Sequence, residues 1–414
     1  MSRQDGVSRM SRLRISNSLW LDGTPRRQFP SLRGALTADV VIVGGGVTGA
    51  AAAWMFADAG VRVAVVEGAH VGRGSTAAST ALLMQEPDKD FHEHADRYGR
   101  AAARRIWQLS RLATRDFVRT LKRLRIACDL AELDSLYYTT DPSAVERMRR
   151  EYRLRRAAGI QAAWLDAPRL RRITGIPGAG AIRTRGNAQV DPYKACLGLL
   201  RAAQRRGAHI FERSPVRRIE TSGPGVTVIT AAGTIRAGRV IIATGYATPE
   251  FKPLAARFRM MHTYVIATER LAARARADIG LGRVMLWDTG RPYHYARWTA
   301  DHRLLLGGGD RARLPERQRR RALRESATAL LDHFTRLYPA LLGVRIDRVW
   351  EGLFAMTPDG LPYIGPHRRY PKHLFALGYG GNGMTFGFLA ARLLLDWFGG
   401  KRSADHQLFA FNRD

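Results

Sequence analysis

The sequence predicts an α/β fold in which a buried parallel sheet is accompanied by a second, antiparallel sheet. Residues 39–67 have the pattern of a strand, a glycine-rich turn, a helix and a second strand. Residues 258–309 alternate polar and apolar side chains and include several aromatics, as expected for an antiparallel sheet. Residues 374–398 again run from a strand through glycines into a helix. Two strand–glycine–helix segments and one alternating block together indicate this fold class.

The first of these segments has the spacing of a dinucleotide-binding turn. Val40–Val43 is a short apolar run typical of a strand buried on both faces, and the helix after it reaches about Asp58. Gly44, Gly46 and Gly49 fit the pattern G-x-G-x-x-G. These glycines permit a tight turn, a close approach of the backbone to a pyrophosphate, and close packing of the helix on the strand. The N–H groups at the start of the helix would then face the phosphates.

Glu67 ends the second strand of the unit, which the pattern places at 61–66. An acid at this position accepts hydrogen bonds from ribose hydroxyls and repels a 2′-phosphate, so FAD or NAD is favoured over NADP. The alternative is a glycine-rich turn in an ordinary βαβ unit. Residues 40–57 carry no charge, which is close to the minimum length of a membrane span, but four glycines interrupt the run and a span is not expected.

Composition restricts the class of protein. With 414 residues and 45% hydrophobic content, the chain can bury a large core and is expected to form two domains. The formal charge is +31, but only six of the 67 basic residues are lysines, and the arginines are spread over the whole chain. A run such as 317–321 could bind nucleic acid or anionic lipid, yet no RNA-binding signature accompanies it, so nucleic-acid binding is not expected.

Cysteine usage and the N-terminus predict a cytoplasmic protein. Cys128 and Cys196 are far apart and lack C-x-x-C spacing, so neither a disulfide framework nor a metal site is expected. The first thirty-odd residues lack the apolar stretch of a secretory signal.

The rest of the chain adds further elements in order. A loop of small residues at 72–76 could lie against a flat ring system, and a returning strand at 240–242 ends in Ala243-Thr244-Gly245, a second place where a strand turns beside the nucleotide. The other predicted elements are an amphipathic helix at 96–125, a strand and helices at 137–172, a helix from Asp191-Pro192 to about 206, a strand at 207–211, a hairpin at 226–235, and a helix at 315–338.

Taken together, these motifs resemble the D-amino-acid oxidase superfamily of FAD-dependent oxidoreductases. The resemblance covers nearly everything from Ser18 to about Gly400. Its carriers, in the order of the chain, are GGGVTG at 44–49, GRGST at 72–76, VDPY at 190–193, ATG at 243–245, WEG and TPDGLPYIG within 350–365, and GYGGNGMTFG at 378–387.

The resemblance implies a Rossmann-like FAD-binding domain made of three discontinuous segments, with an inserted antiparallel substrate domain. The expected divisions are an N-terminal extension at 1–35, an FAD domain at 36–90, 179–248 and 346–400, a substrate domain at 91–178 and 249–345, and a C-terminal tail at 401–414.

It also implies a set of cofactor-binding residues. The first glycine turn would hold the pyrophosphate, Glu67 the ribose, Val216 the adenine side, residues 75–76 the flavin, and 380–384 the pyrimidine edge of the flavin. The positive end of the last helix would stabilise the negative charge of reduced flavin. The full set is Gly44, Gly46, Val47, Thr48, Gly49, Glu67, Gly74, Ser75, Thr76, Val216, Thr244, Gly245, Gly380, Gly381, Asn382, Gly383 and Met384.

Three positions depart from the pattern of the family. Phe354 stands where amino-acid oxidases carry an arginine that binds the substrate carboxylate. Gly352 stands near the position of the cysteine that links flavin in some members, so FAD is expected to be non-covalent. Leu305 falls near the lysine that activates oxygen in those members, which leaves oxidase and dehydrogenase activity both open.

Substitute substrate contacts are expected on the alternating block. The candidates for the catalytic set are Tyr293, Tyr295, Arg297 and His262; Tyr264 is a further possible contact, and ordinary cross-strand packing is the alternative for each.

The expected activity is oxidation of the C–N bond of an amine or amino acid by hydride transfer to flavin N5, followed by hydrolysis of the imine. Oxygen or a quinone would accept the electrons. The alternatives are a flavin dehydrogenase for a hydroxy acid or other CH–OH donor, possibly peripheral to a membrane, and a flavin-bearing protein that binds RNA or membrane without turnover.

Overall fold

The computed structural model describes residues 18–413, which form two compact units. The large-sheet unit contains 131–189 and 261–353, and the parallel-sheet unit contains 20–130, 190–260 and 354–413. Each unit is therefore built from segments that are far apart in sequence. The division assigns 91–130 to the parallel-sheet unit, whereas the sequence placed those residues in the substrate domain. Residues 1–17 of the expected N-terminal extension lie outside the described residues.

The strands alternate with helices through most of the described chain. The strands are β1 (Gly34–Thr37), β2 (Val40–Val43), β3 (Val63–Val66), β4 (Leu82–Leu83), β5 (Ala131–Thr139), β6 (Ala162–Asp166), β7 (Gly180–Gln189), β8 (His209–Phe211), β9 (Arg218–Ser222), β10 (Gly225–Ile229), β11 (Gly233–Ala237), β12 (Arg239–Gly245), β13 (Arg259–Thr268), β14 (Met285–Asp288), β15 (His294–Trp298), β16 (Leu304–Ala312), β17 (Ile346–Met356), β18 (Tyr363–His367) and β19 (Tyr370–Leu377).

The helices range from single turns to more than six turns. They are α1 (Val47–Asp58), α2 (Ser75–Ala78), α3 (Phe91–Tyr98), α4 (Arg100–Arg123), α5 (Val145–Ala157), α6 (Ala167–Thr174), α7 (Pro192–Arg205), α8 (Lys252–Ala255), α9 (Ala273–Ile279), α10 (Glu316–Leu337), α11 (Gly383–Phe398) and α12 (Ala404–Gln407). Short 3₁₀ turns occur at Leu19–Leu21, Pro142–Ala144, Pro249–Phe251 and Pro339–Gly343. The described residues contain no helix long and apolar enough to cross a membrane.

A six-stranded sheet organises the parallel-sheet unit, with the order β18-β19-β12-β2-β3-β8. Strand β2 lies between β12 and β3 and is parallel to both. The chain adds β3 and β8 on one side of β2 and later adds β12, β19 and β18 on the other. Ligands of such sheets bind beyond the carboxyl ends of the strands at the point where the strand order reverses. The expected buried strand at Val40–Val43 is confirmed, because Val40, Val41 and Ile42 are fully buried.

Helix α1 lies against the parallel sheet and packs on α7 and α11. Its four consecutive alanines, residues 50–53, are fully buried, so the neighbouring helices approach it closely. A second, four-stranded sheet of this unit has the order β1-β11-β10-β9. It shares a hydrophobic core with the six-stranded sheet, and this core includes Val41, Val226 and Ile235.

The large-sheet unit is built on strands in the order β17-β13-β16-β15-β14-β5-β7, with β6 also paired to β7. The expected antiparallel pairing is confirmed for β13 with β16 and for β15 with β16, whereas β14 pairs with β5 in parallel. One face of this sheet packs on helix α10 through a core that includes Tyr264, Ala296 and Phe334. Because side chains alternate along a strand, the residues between these lie on the second face.

Two stretches differ from the sequence-based expectation. The helix expected at 96–125 is two helices, α3 and α4, which meet at Gly99. Gly99 has φ +81°, a conformation in which only glycine is unstrained, so the chain turns there. The hydrophobic periodicity continues through the break, so the pattern of apolar residues does not indicate it.

The segment expected to be a C-terminal tail packs into the parallel-sheet unit. Phe409 and Phe411 are buried, and the ring of Phe411 stacks on that of Tyr363 at 5.0 Å. Arg413 donates two hydrogen bonds to the carboxylate of Asp359, with Nε–Oδ2 at 2.8 Å and a second bond to Oδ1 at 3.0 Å. Burial alone would raise the pKa of Asp359, but the hydrogen bonds and charge of Arg413 outweigh it and lower the pKa to about 2. A lowered carboxyl pKa stabilises the fold above the ordinary value of 3.8, and this contribution is lost as the pH falls toward 2.

We expect Arg413→Met to lower the free energy of unfolding of the full chain at neutral pH by about 3–5 kcal/mol, because it leaves the carboxylate of Asp359 buried and unpaired. The side chains of this pair are 3% and 0% exposed. The measurement is the urea midpoint. Arg62→Met is the matched control, since the Arg62–Asp39 pair is exposed and its loss should change the midpoint little. Equal shifts in both variants would contradict the assignment.

Candidate functional site

The first glycine turn of the parallel-sheet unit admits no side chain at two of its positions. Gly44 has φ +111°, and a Cβ added to it would lie 2.6 Å from the carbonyl oxygen of Ala243. A Cβ at Gly49 would lie 1.9 Å from the carbonyl oxygen of Gly44. The end of strand β12, Ala243-Thr244, therefore lies directly against the turn, and helix α1 packs on it without an intervening side chain.

The backbone N–H groups at the N-terminus of α1 lie beside this turn and have few hydrogen-bond partners among the described residues. Gly46 is its N-cap and makes no side-chain capping bond, and its first turn contains no acidic residue. The N–H of Val47 donates to Thr76 Oγ1 at 2.9 Å. This contact places the 72–76 loop beside the glycine turn. The positive end of the helix is a suitable place for a phosphate.

Glu67 lies beside the same turn. Its Oε2 accepts a hydrogen bond from the N–H of Gly45, and its Oε1 accepts one from the N–H of Ala69, both at 2.8 Å. The N–H of Ser214 donates to the carbonyl of Glu67 at 2.9 Å, which brings the segment containing Val216 next to the end of β3. The acid and the segment containing Val216 thus lie beside the same turn.

The later glycine segments reach the same edge of the sheet. The carbonyl of Gly245 accepts a hydrogen bond from the N–H of Gly378 at 2.9 Å, which joins the end of β12 to the end of β19. A Cβ at Gly387 would lie 2.5 Å from Thr48 Oγ1, so α11 and α1 touch near their N-termini. The three glycine segments that the sequence singled out therefore meet in one unit.

A segment that sequence analysis did not single out contributes to this edge. The N–H of Gly381 donates to Asp88 Oδ2 at 2.6 Å, and Asn382 Nδ2 donates to Asp88 Oδ1 at 3.2 Å and to the carbonyl of Glu86 at 2.6 Å. The only available signal was two acids, Glu86 and Asp88, following an otherwise small and apolar stretch. Gly383 and Met384 begin α11 directly after this loop.

This arrangement fits a flavin dinucleotide. Helices α1 and α11 lack side-chain capping bonds at their N-caps, so both positive ends remain available to anionic groups. A Cβ at Gly74 or at Gly245 would meet nothing within 4 Å, which leaves open space beside the small-residue loop and the end of β12. The pyrophosphate and the reduced isoalloxazine ring are the anionic parts of such a cofactor.

The second face of the large-sheet unit carries a row of aromatic rings. Trp287 stacks on Tyr137 with centroids 4.0 Å apart, and Tyr293 meets the edge of Trp287 at 5.4 Å. A guanidinium lies over each end of the row, Arg155 at 5.3 Å from Tyr137 and Arg291 at 3.9 Å from Tyr293. This face is suited to flat groups, whereas a further cation would meet the guanidinium groups that already lie over both ends of the row.

Tyr295 and Arg297 occupy the same face on strand β15. The hydroxyl of Tyr295 lies 2.9 Å from Thr263 Oγ1. Its ring lies over Gly307, where an added Cβ would be 2.1 Å from ring atom Cε2. Arg297 is 2% exposed. The structure therefore brings Tyr293, Tyr295 and Arg297 together on one surface.

His262 does not join them. It precedes Tyr264, whose side chain belongs to the core beneath α10, and its Nδ1 lies 3.6 Å from Glu351 Oε2. Burial lowers the pKa of His262, and the negative charge of Glu351 acts in the opposite direction. Arg319 of α10 hydrogen-bonds Glu351 at 2.7 Å. A residue two positions from Tyr264 shares its side of the strand, so His262 faces the helix rather than the aromatic row.

Sequence analysis also missed a group of titratable residues in this unit. His294 Nδ1 lies 2.9 Å from Asp288 Oδ2, and His333 Nε2 lies 3.6 Å from the same oxygen. The two imidazoles are stacked at 3.8 Å with a 15° angle between their planes. Burial and then the neighbouring His294 lower the pKa of His333 to about 4. Lone pairs lying in two nearly parallel planes do not converge on one ion, so the stacked pair lacks the tetrahedral geometry of a zinc site.

Asp310 is a further buried acid near the row. Burial raises its pKa to about 6, although a hydrogen bond from Thr263 lowers it again in part. Its Oδ1 has no hydrogen-bond partner within residues 18–413. In the sequence, the motif GGGD at 307–310 could not be distinguished from an ordinary turn.

The chain matches known proteins over most of its length. A family model described as FAD dependent oxidoreductase matches residues 39–397. Gamma-glutamylputrescine oxidoreductase of Escherichia coli is 29% identical over 89% of this chain and 85% of its own length. Glycine oxidase of Bacillus licheniformis is 27% identical over 91% of this chain and 97% of its own.

Solved structures share the fold. The chain resembles glycine oxidase from Geobacillus kaustophilus with a TM-score of 0.77 and 23% identity, covering 92% of this chain and 99% of that one. L-Amino acid deaminase from Proteus myxofaciens gives a TM-score of 0.77 at 18% identity, covering 96% and 97% of the two chains. At these identities the likeness concerns the fold, and it confirms the expected mixed α/β architecture.

We expect Gly49→Ala to abolish retention of a flavin, because its Cβ would lie 1.9 Å from the carbonyl oxygen of Gly44 and would push helix α1 off the turn. The measurement is the ratio of flavin to protein absorbance after purification. Gly343→Ala is the matched control, since a Cβ there meets nothing within 4 Å. A Gly49→Ala protein that keeps the flavin content of the control would contradict this role for the turn.

Proposed function

The chain belongs to the family of FAD-dependent oxidoreductases, and from that premise we propose that it oxidises the C–N bond of an amine or amino acid. The observation that carries the proposal is the meeting of three separate glycine segments at the carboxyl edge of strand β2. The names of the matched relatives, a glycine oxidase and a gamma-glutamylputrescine oxidoreductase, support a C–N bond as the target.

In this proposal the parallel-sheet unit holds FAD. The turn at 44–49 takes the pyrophosphate, Glu67 the ribose, Val216 the adenine side, and the first residues of α11 the pyrimidine edge of the flavin. Thr76 supports the turn through its bond to the N–H of Val47. The FAD is attached non-covalently, since Gly352 offers no nucleophile.

When bound, FAD supplies the acceptor for a hydride from the carbon next to nitrogen, and the resulting imine hydrolyses in water. The chain's own contribution is to bind the substrate as the neutral amine, orient its C–H bond and exclude water while the bond breaks. The two bare helix ends favour the negative charge of the reduced ring.

The substrate contacts are proposed on the second face of the large-sheet unit. Tyr293 and Tyr295 offer aromatic surface, and Arg297 is a buried cation on the same strand. Phe354 offers no charge to a substrate carboxylate, so Arg297 is the candidate for that role in an amino-acid substrate. His262 faces helix α10 and is proposed to act in packing.

The proposal also covers the electron acceptor and the cellular compartment. Oxygen or a quinone would reoxidise the flavin. Both cysteines are buried and unpaired, which fits a reducing cytoplasm.

We expect amines to bleach the flavin absorbance under anaerobic conditions and hydroxy acids to leave it unchanged. The measurement is a stopped-flow panel in which each amine is paired with the corresponding alcohol. Protein that stays colourless after refolding with FAD would contradict the proposal. Bleaching by alcohols alone would instead identify a CH–OH dehydrogenase.

Two further measurements complete this test. Acid precipitation should release all of the flavin into the supernatant, whereas flavin that stays with the pellet would contradict non-covalent attachment. Binding of RNA or anionic vesicles that collapses with added salt, in a protein that no donor bleaches, would favour a binding protein without turnover.

A further inference from the structure

We propose that a hydrogen-bonded relay from Tyr295 through Thr263 to Asp310 removes the proton from the ammonium group of the substrate, so that the nitrogen is neutral before hydride leaves the neighbouring carbon. The inference rests on the proposed function, because it takes the second face of the large-sheet unit as the place where the amine binds. Asp310, the proton acceptor, belongs to none of the motifs or candidate residues of the sequence.

A bulge in strand β16 brings Asp310 to Thr263. The register of β13 with β16 shifts between His262 and Tyr264, so one residue of β13, Thr263, lies opposite two residues of β16. The two residues before Asp310 are glycines with φ +128° and +65°, a conformation that other residues rarely adopt. Bulges change the direction of a side chain and are frequent beside active sites. This bulge directs Asp310 to the hydroxyl of Thr263.

The hydrogen bonds of the relay run in one direction, from Tyr295 to the carboxylate. Thr263 donates to Asp310, and its Oγ1 lies 2.9 Å from the hydroxyl oxygen of Tyr295. A threonine hydroxyl has a single hydrogen, so a Thr263 that donates to Asp310 accepts from Tyr295. The hydroxyl oxygen of Tyr295 therefore forms the outer end of the relay, on the face that also carries Arg297.

The carboxyl group of Asp310 is suited to accept a proton near neutral pH. Burial raises its pKa from 3.8 to about 6, so the group is mostly ionised at neutral pH but binds a proton more readily than an ordinary aspartate. Its Oδ1 has no hydrogen-bond partner within residues 18–413. A buried carboxylate with one oxygen unpaired is poorly stabilised, and this favours its protonated form.

Other charged and titratable side chains face this region from β13, β15, β16 and α10. They are Tyr264, His294, Arg311, Glu325 and His333. His294 lowers the pKa of Asp310, although less than burial raises it. Arg311 pairs with Glu325 at 3.6 Å. The pH dependence of Asp310 must therefore be separated from that of the histidines, and Asp310→Asn does so because both imidazoles remain.

The positive charges of the second face favour the neutral form of a bound amine. Arg155 and Arg291 lie over the two ends of the aromatic row, and Arg297 is buried on β15. Like charges disfavour an ammonium group, so the pKa of the amine falls on binding. The proton that it releases needs an acceptor, and the relay leads to a carboxylate.

The proposed step conserves protons and electrons. One proton moves from the nitrogen to Tyr295, one from Tyr295 to Thr263 and one from Thr263 to Asp310. The nitrogen keeps the electron pair of the broken N–H bond, and this pair forms the C=N bond when hydride passes to the flavin. The proton on Asp310 returns to water after the imine has left.

The experiment measures the limiting rate of flavin reduction against pH in the FAD-loaded full chain. The probes are the amine that bleaches fastest in the panel above and its analogue with two fluorines on the β carbon, which is largely neutral at neutral pH. With the ordinary amine, we expect the wild-type rate to fall as the pH decreases through about 6. Asp310→Asn should abolish this fall and lower the rate at neutral pH by about a hundredfold, yet leave the rate with the fluorinated amine unchanged.

Two further variants separate the charge of Asp310 from its packing. Asp310→Glu keeps a carboxylate and should restore part of the rate and the fall at low pH. Asp278→Asn is the matched control, because Asp278 is exposed on α9 in the same unit, and it should leave both rates unchanged.

A second readout does not depend on the flavin. Infrared difference spectra between acid and neutral pH should contain a protonated carboxyl band that titrates near pH 6 and that Asp310→Asn lacks. If Asp310→Asn does not fold, Thr263→Val interrupts the relay, keeps this band and should show the same selective loss with the ordinary amine.

Equal losses with both amines, an unchanged rate with the ordinary amine, or a wild-type spectrum without the band would overturn the inference. Failure of the proposed function gives a different result, since no amine would then bleach the wild type although the carboxyl band would still be present.

Discussion

The contact between helix α1 and the turn that precedes it is the constraint on which the parallel-sheet unit depends. Gly49 has no side chain, and the carbonyl of Gly44 occupies the place where one would be. The helix therefore packs on its strand at backbone distance, with its N-terminus directed at the edge of the sheet. The same device recurs where Gly387 of α11 meets Thr48 of α1. Helices α1 and α11 approach each other closely there because Gly387 has no side chain.

The large-sheet unit separates its functions by the alternation of side chains along strands. Tyr264 and Ala296 belong to the core under α10, whereas Thr263 and Tyr295 join hydroxyl groups on the opposite face. The core under α10 and the contacts of the second face thus use alternate positions of the same strands. The separation also explains why His262, which is close in sequence to Thr263, contacts Glu351 instead of the aromatic row.

The elements with strong local signals could be predicted from sequence, and those that depend on distant contacts could not. The βαβ unit at 39–67 combines β-branched strands, spaced glycines and an acid, so its fold followed from local chemistry. The break at Gly99 is hidden in a continuous apolar periodicity. The side of the sheet that His262 faces depends on which face of β13 packs on helix α10, and that helix is distant in sequence. Asp88 contacts a loop almost three hundred residues further along the chain, so no local pattern indicates its position.

The buried ion pair between Arg413 and Asp359 affects the order in which the two units can be completed during synthesis. The parallel-sheet unit begins near residue 20, yet its buried ion pair is completed only when residue 413 is in place. A nascent chain on the ribosome thus carries Asp359 without this counterion until residue 413 has left the exit tunnel. The large-sheet unit ends at residue 353 and has all of its segments earlier. Synthesis therefore supplies every segment of the large-sheet unit before the residue that completes the buried ion pair of the parallel-sheet unit.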